Sequence, residues 1–169
     1  MGLIYLYHGS GGGKTTSALG LALRSVGHGN KVVIVQFMKG RKDIGEYKIG
    51  KRLNPDYEIH QFGSEGWVDL KNPSEDDKRR AREGLAFVER ALKMEPNLLI
   101  LDELGLAAYC GLIDTRDVLG VLKSIPKKTD VVITGRWVPR ELIERADFVN
   151  EITDVKRPKE IPTVKGIQY

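Results

Sequence analysis

The residues with the most chemical content stand close to the start of the chain. His8-Gly9-Ser10-Gly11-Gly12-Gly13-Lys14-Thr15-Thr16 follows a short apolar run and leads into a helix-like one. Glycines let a backbone curl until successive N–H groups point inward. A following helix adds its positive N-terminus, a lysine adds a charge, and a threonine hydroxyl can meet a divalent cation. In that context the segment is a nucleotide-binding loop, with Gly9, Ser10, Gly11, Gly12, Gly13, Lys14, Thr15 and Thr16 as the candidate contacts. The pattern G-x-x-x-x-G-K-[ST] is met except at its first position, where His8 stands and the glycine is displaced to Gly9. The second half of such a site is an apolar strand ending in an acid that holds the magnesium serving the phosphates. Leu98-Leu99-Ile100-Leu101-Asp102-Glu103 supplies it. Asp102 is placed to hold the metal directly or through water, beside Thr15. Glu103 offers either a general base for water or a metal and ribose contact, and the residues leave both open.

These groups need a scaffold that brings residue 15 to residue 102. Short apolar or β-branched runs at 3–7, 31–37, 57–62, 97–102, 130–134 and 148–152 read as strands. Helical patterns lie between most of them. One spans 14–26, and another is opened by Ser74 with Ala81, Leu85, Val88 and Leu92 on one face. Two more run over about 115–124 and from Pro139, at a first helical position, to about Ala146. Strands alternating with helices predict an α/β fold with a largely parallel central sheet flanked by helices. The stretch 63–73, with Gly66, Trp67, Asn72 and Pro73, has no period and reads as a long loop. With no internal repeat or low-complexity linker, residues 1–169 are expected to form one domain, those from about 155 an extended tail.

Composition narrows the partners. A chain of 169 residues, 41% hydrophobic and 30% charged, can bury its own core, which excludes collagenous, disulfide-built and wholly disordered classes. The single cysteine, Cys110, has no intrachain partner, and His8, His28 and His60 do not fall at zinc-ligand spacing. No apolar run reaches the roughly 20 residues of a membrane span. The first residues show no secretory signal, so the cytoplasm is the expected location. The net charge of +4 suits a polyanionic small molecule. Without an aromatic-interleaved basic stripe, nucleic acid is not expected as a partner.

Taken in order, several further segments carry a family resemblance: Ala18-Leu19-Gly20-Leu21-Ala22-Leu23-Arg24, Gly27-His28-Gly29, Gln36-Phe37-Met38-Lys39-Gly40, Trp67, Leu101-Asp102-Glu103-Leu104, Thr134-Gly135-Arg136, Val155-Lys156 and Lys165-Gly166-Ile167. With Gly9 to Thr16, these make the chain resemble, over nearly its whole length, the cob(I)alamin adenosyltransferases of the ATP:corrinoid type, whose phosphate loop shows the same displaced glycine. The resemblance implies a RecA-like P-loop NTPase fold that binds ATP with magnesium or manganese. It also implies a reduced corrinoid that attacks the 5′ carbon of ATP, with triphosphate leaving. A reductase as electron donor and a homodimer are implied as partners. Lys14, Glu103 and Trp67 become the expected catalytic residues, Trp67 against the corrin face, and Thr15, Asp102 and Glu103 the expected metal set; Tyr109 is a weaker pocket candidate. Three departures stand out. Glu65 occupies an aromatic position next to Trp67, Gly12 replaces a second loop lysine, and the sequence opens on its first strand where many members carry an extension that closes over the nucleotide, so that any lid is expected from a loop or the C-terminal tail. The rival readings are a RecA-like ATPase driving a partner and a non-catalytic nucleotide- or corrinoid-binding protein.

Overall fold

The computed structural model describes residues 2–169. Six strands, β1 (Ile4–His8), β2 (Val32–Phe37), β3 (Tyr57–Phe62), β4 (Leu98–Asp102), β5 (Asp130–Gly135) and β6 (Phe148–Glu151), form one sheet in the order β3-β2-β4-β5-β1-β6. Every pairing is parallel. The strand runs predicted from periodicity are therefore present, each within a residue or so of the expected ends. β2 and β4 are buried along their whole length, as continuous apolar runs demand when helices cover both faces.

Period two sorts the strand residues between the faces. Ile4, Leu6, Val33, Val35, Phe37, Leu99, Leu101, Val131 and Ile133 pack against α3 (Glu75–Lys93), α4 (Leu104–Tyr109), α5 (Thr115–Leu122) and α6 (Arg140–Arg145). Val32, Ile34, Leu98, Ile100 and Val132 face the other way, onto Ala18 and Ala22 of α1 (Lys14–Gly27) and Ile49 and Leu53 of α2 (Gly45–Leu53). The α1-side rows end at the C-terminal edge of the sheet in polar residues: Ile34 is followed two residues on by Gln36, Ile100 by Asp102, and Val132 by Thr134. All three are fully buried. Gln36 pairs directly with Asp102 across β2 and β4. The strand between the phosphate-loop strand β1 and the acidic strand β4 is β5, so Thr134 comes to lie beside Asp102.

Ser74 caps α3 as expected. Its hydroxyl accepts from the Asp77 N–H while the Asp77 carboxylate accepts from the Ser74 N–H, a reciprocal capping box. Pro139, expected inside the last helix, is instead the residue capping α6. Two helices lie outside the periodic patterns of the sequence. α2 starts from Ile44 with no side-chain cap and contains Gly45 and Gly50, so its one start signal is the acid Glu46 in its first turn. α4 is six residues, apolar and buried from Leu104 to Ala108, too short to show a period. It packs so closely on β5 that a Cβ on Gly135 would lie 2.6 Å from the Leu106 nitrogen. Residues 63–73 form no helix or strand, and nor do residues 155–169.

Candidate active site

The phosphate loop leaves β1 and curls into α1, which begins at Gly13 in the left-handed conformation (φ 101°). Gly9, also left-handed at φ 110°, donates its N–H to the Arg136 carbonyl at 3.3 Å and so ties the loop to the end of β5. Lys14 Nζ donates to the Gly11 carbonyl at 2.6 Å, folded over its own loop. Burial pulls its pKa below the usual lysine value, against the charges of Glu103, Asp154 and Asp102, which favour the ammonium. Ser10 of the loop and Thr16 in the first turn of α1 are exposed.

Asp102 is the hub. Its Oδ1 accepts from the Thr15 hydroxyl at 2.8 Å and the Thr134 hydroxyl at 2.7 Å. Its Oδ2 accepts from Gln36 Nε2 at 3.0 Å and Lys39 Nζ at 2.6 Å. Burial works against this charge, but the Lys39 ammonium and the donated hydrogen bonds outweigh it and hold the carboxyl below its ordinary pKa. Lys39 is displaced upward in turn: burial opposes its charge, and Asp102, Glu103 and Glu46 overcome that. A carboxylate has about four lone-pair directions, and here protein donors fill them.

Glu103 is different. It sits at φ 61°, ψ 13°, a left-handed conformation uncommon for a non-glycine residue, between the end of β4 and the start of α4. Its N–H donates to the Thr134 hydroxyl at 2.9 Å, which fixes the turn. Its Oε2 is buried and has no hydrogen-bond partner among the described residues. Burial and the neighbouring Asp102 charge raise its pKa, against Lys39, Lys14 and Arg136. A buried acceptor without a donor marks a place for an additional cation or donor. Thr15 spends its proton on Asp102 and its oxygen accepts from Lys39 Nζ at 3.4 Å, which leaves one lone pair for a cation. The donor set of Thr15 and Glu103, two hard oxygens, fits a small divalent cation.

The loop, Lys14, Thr15, Asp102 and Glu103 are thus brought together as the spacing predicted. Trp67 is not joined to them by any hydrogen bond or ring contact: its side chain is fully exposed on the loop after β3. That loop is nevertheless seated against the Lys39 turn. A Cβ on Gly63 would lie 2.3 Å from the Lys39 nitrogen, and one on Gly40 2.7 Å from the Gly63 carbonyl oxygen. Tyr109, at the end of α4, meets Trp137 with ring centroids 5.8 Å apart, and Arg136 lies over the Trp137 ring. Gln36, Lys39 and Thr134 belong to no local motif, although the α1-side rows of β2 and β5 end in a polar residue where period two calls for an apolar one. Gln61 extends the network, donating to Gln36 Oε1 at 3.0 Å.

Comparison with known proteins agrees with this geometry. The sequence profile of the family described as ATP:corrinoid adenosyltransferase BtuR/CobO/CobP matches residues 1–169. A corrinoid adenosyltransferase of Pseudomonas aeruginosa is 34% identical over 172 aligned positions, which cover 99% of this chain and 84% of the relative. One from Escherichia coli K12 is 35% identical over 156, covering 92% and 78%. The corrinoid adenosyltransferase CobA of Salmonella typhimurium is 32% identical over 172, covering 99% and 86%. A phosphate loop facing a buried acid across an inserted strand, on a chain matched from end to end, places this protein in the ATP:corrinoid adenosyltransferase family.

Proposed function

We propose that the protein transfers the 5′-deoxyadenosyl group of ATP to the Co(I) centre of a reduced corrinoid. A cobalt electron pair attacks C5′, the C5′–O bond breaks, a Co–C bond forms, and triphosphate departs with the bonding pair. No new phosphorus bond is made, so the protein's task is to hold the leaving triphosphate in line and neutralise its growing charge. The observation that carries the reading is the Thr15–Asp102 hydrogen bond, which links the phosphate loop to the acid 87 residues away.

The Lys14 ammonium and the loop amides between Gly9 and Thr16 bind the phosphates, except those of Gly9 and Gly11, which the Arg136 and Ile152 carbonyls already occupy. Lys14, kept partly desolvated, offers a stronger field than a lysine in water. Thr15 and Glu103 would hold magnesium or manganese, which would supply charge neutralisation at the triphosphate. Asp102, its lone pairs already filled, acts on that cation through the Thr15 hydroxyl or a water rather than directly. Trp67 covers one face of the corrin and excludes water from cobalt. Residues 1–169 act as one domain with residues from about 155 as its tail. The protein works in the cytoplasm as a homodimer, with a reductase delivering the electron.

The test is anaerobic incubation with magnesium ATP and chemically reduced cobalamin, following the corrin spectrum while phosphorus NMR identifies the released phosphates. A light-sensitive alkylcorrin together with free triphosphate is expected. ADP and phosphate formed whether or not corrinoid is present would overturn the reading in favour of an ATPase. Trp67→Ala is expected to lower adenosylation about tenfold while ATP affinity stays within about twofold. An equal loss of ATP affinity would remove Trp67 from the corrin face.

A further inference from the structure

The chain returns to the phosphate loop after β6. The Ile152 N–H donates to the His8 carbonyl at 2.7 Å, and the Ile152 carbonyl accepts from the Gly11 N–H at 2.8 Å. Two residues later, Asp154 Oδ1 accepts from the Gly12 N–H at 3.0 Å. The loop is shaped to admit this segment: a Cβ on Gly9 would lie 2.4 Å from the Ile152 oxygen, and one on Gly11 2.7 Å from the Thr153 carbonyl carbon. Beyond Asp154 the chain ends with the Tyr169 ring facing the Arg41 guanidinium at 5.1 Å, four residues past β2. β6 is one edge of the sheet, while β2 lies next to the other. Residues 155–169 therefore connect a point on the phosphate loop to a point on the far side of the site.

We infer that Asp154 is an internal stand-in for phosphate, holding the Gly12 amide until the triphosphate of ATP displaces it and detaches the start of the C-terminal segment from the loop. The inference rests on the proposal that this loop binds the triphosphate. A concave run of loop amides beside a lysine selects oxyanions, and a carboxylate is the side chain that can imitate one. Asp154 is exposed, so once displaced it regains full hydration at little cost. Left in place beside a triphosphate it would be a like charge close to the phosphates. Because it competes from within the chain, Asp154 lowers apparent ATP affinity by the fraction of molecules in which the amide is occupied. Asp154 is thus a determinant of ATP affinity that links nucleotide arrival to the position of residues 155–169, and no loop motif announces it.

The experiment is calorimetric titration of magnesium ATP and of inorganic tripolyphosphate into the full chain and its Asp154→Ala, Asp154→Asn and Lys14→Ala variants. Asp154→Ala is expected to bind both ligands about fivefold more tightly. Asp154→Asn, which keeps an acceptor without the charge, falls between. Tryptic cleavage after Lys156 is expected to speed up when tripolyphosphate is added to the parent protein, and to be fast without it in Asp154→Ala. Unchanged or weaker binding by Asp154→Ala would mean that the carboxylate braces the loop, and would overturn the inference. So would cleavage rates indifferent to tripolyphosphate. If Lys14→Ala leaves both affinities unchanged, the phosphate-loop reading itself fails. Loss of binding in Lys14→Ala with no gain in Asp154→Ala overturns the stand-in alone.

Discussion

Replacing Lys39 by methionine isolates the charge at the centre of the site. Asp102 is fully buried, and its carboxylate receives one charged donor, Lys39 at 2.6 Å, and three neutral ones from Thr15, Thr134 and Gln36. Removing one partner of a buried ion pair costs about 3–5 kcal/mol, because the other charge is left uncompensated. Two features reduce that here. The Lys39 side chain is 29% exposed, so water shares in screening the pair. The three neutral donors remain, each worth about 1 kcal/mol. The expected loss for Lys39→Met is therefore about 2–3 kcal/mol at pH 7, or for a chain of this length a fall in Tm of roughly 5–10 °C. Urea unfolding followed by circular dichroism reads it directly. The pH dependence has a definite sign. The folded pKa of Asp102 is depressed, so its contribution is complete above the unfolded value near 4 and is lost as the pH falls through the depressed value. The gap between parent and variant should be widest at neutral pH and narrow in acid. A loss below about 0.5 kcal/mol, or a gap that widens in acid, would refute the view that Lys39 is the counter-ion holding Asp102 ionised.

Other residues give equally separable outcomes. Glu103→Gln is expected to raise Tm slightly, since burial and Asp102 push the acid's pKa up and the charged form therefore costs stability above its unfolded pKa. The parent should in turn gain stability as the pH falls through that raised value toward the unfolded one. The same variant should weaken manganese binding in the presence of ATP by about tenfold or more, measured by electron paramagnetic resonance titration; unchanged metal affinity would take Glu103 out of the cation site. Gly135→Ala is expected to cost about 3 kcal/mol or more, because its Cβ would meet the backbone of Gly105 and Leu106, which cannot rotate aside. A thermal melt within 2 °C of the parent would show that α4 can move off β5.

How far the sequence discloses this site depends on the kind of signal each part carries. The phosphate loop and the Leu98–Asp102 strand with Glu103 are legible because each is local: a few adjacent residues state both their conformation and their chemistry. The strands are legible for the same reason, as short apolar or β-branched runs, although only β2 and β4 are buried along their whole length and β6 is exposed throughout. α2 and α4 are not, because one lacks a capping side chain and contains two glycines, and the other is a single buried apolar turn and a half. The Asp102 hub is a non-local object. Its donors come from positions 15, 36, 39 and 134 and meet only because β2, β4 and β5 lie side by side with their ends in register. Period two along each strand states that Gln36, Asp102 and Thr134 lie on the α1 face, but strand order is needed to make them neighbours. Lys39 lies beyond that rule. It reaches Asp102 from outside the sheet, past Met38, whose φ of 57° turns the chain after β2. Asp154 is further still from any pattern, since its contact with Gly12 spans 142 residues and depends on β6 being the sheet edge next to β1. Local motifs therefore name the groups proposed to touch phosphate, while parallel register and strand order select the buried groups that hold Asp102 in its charged form.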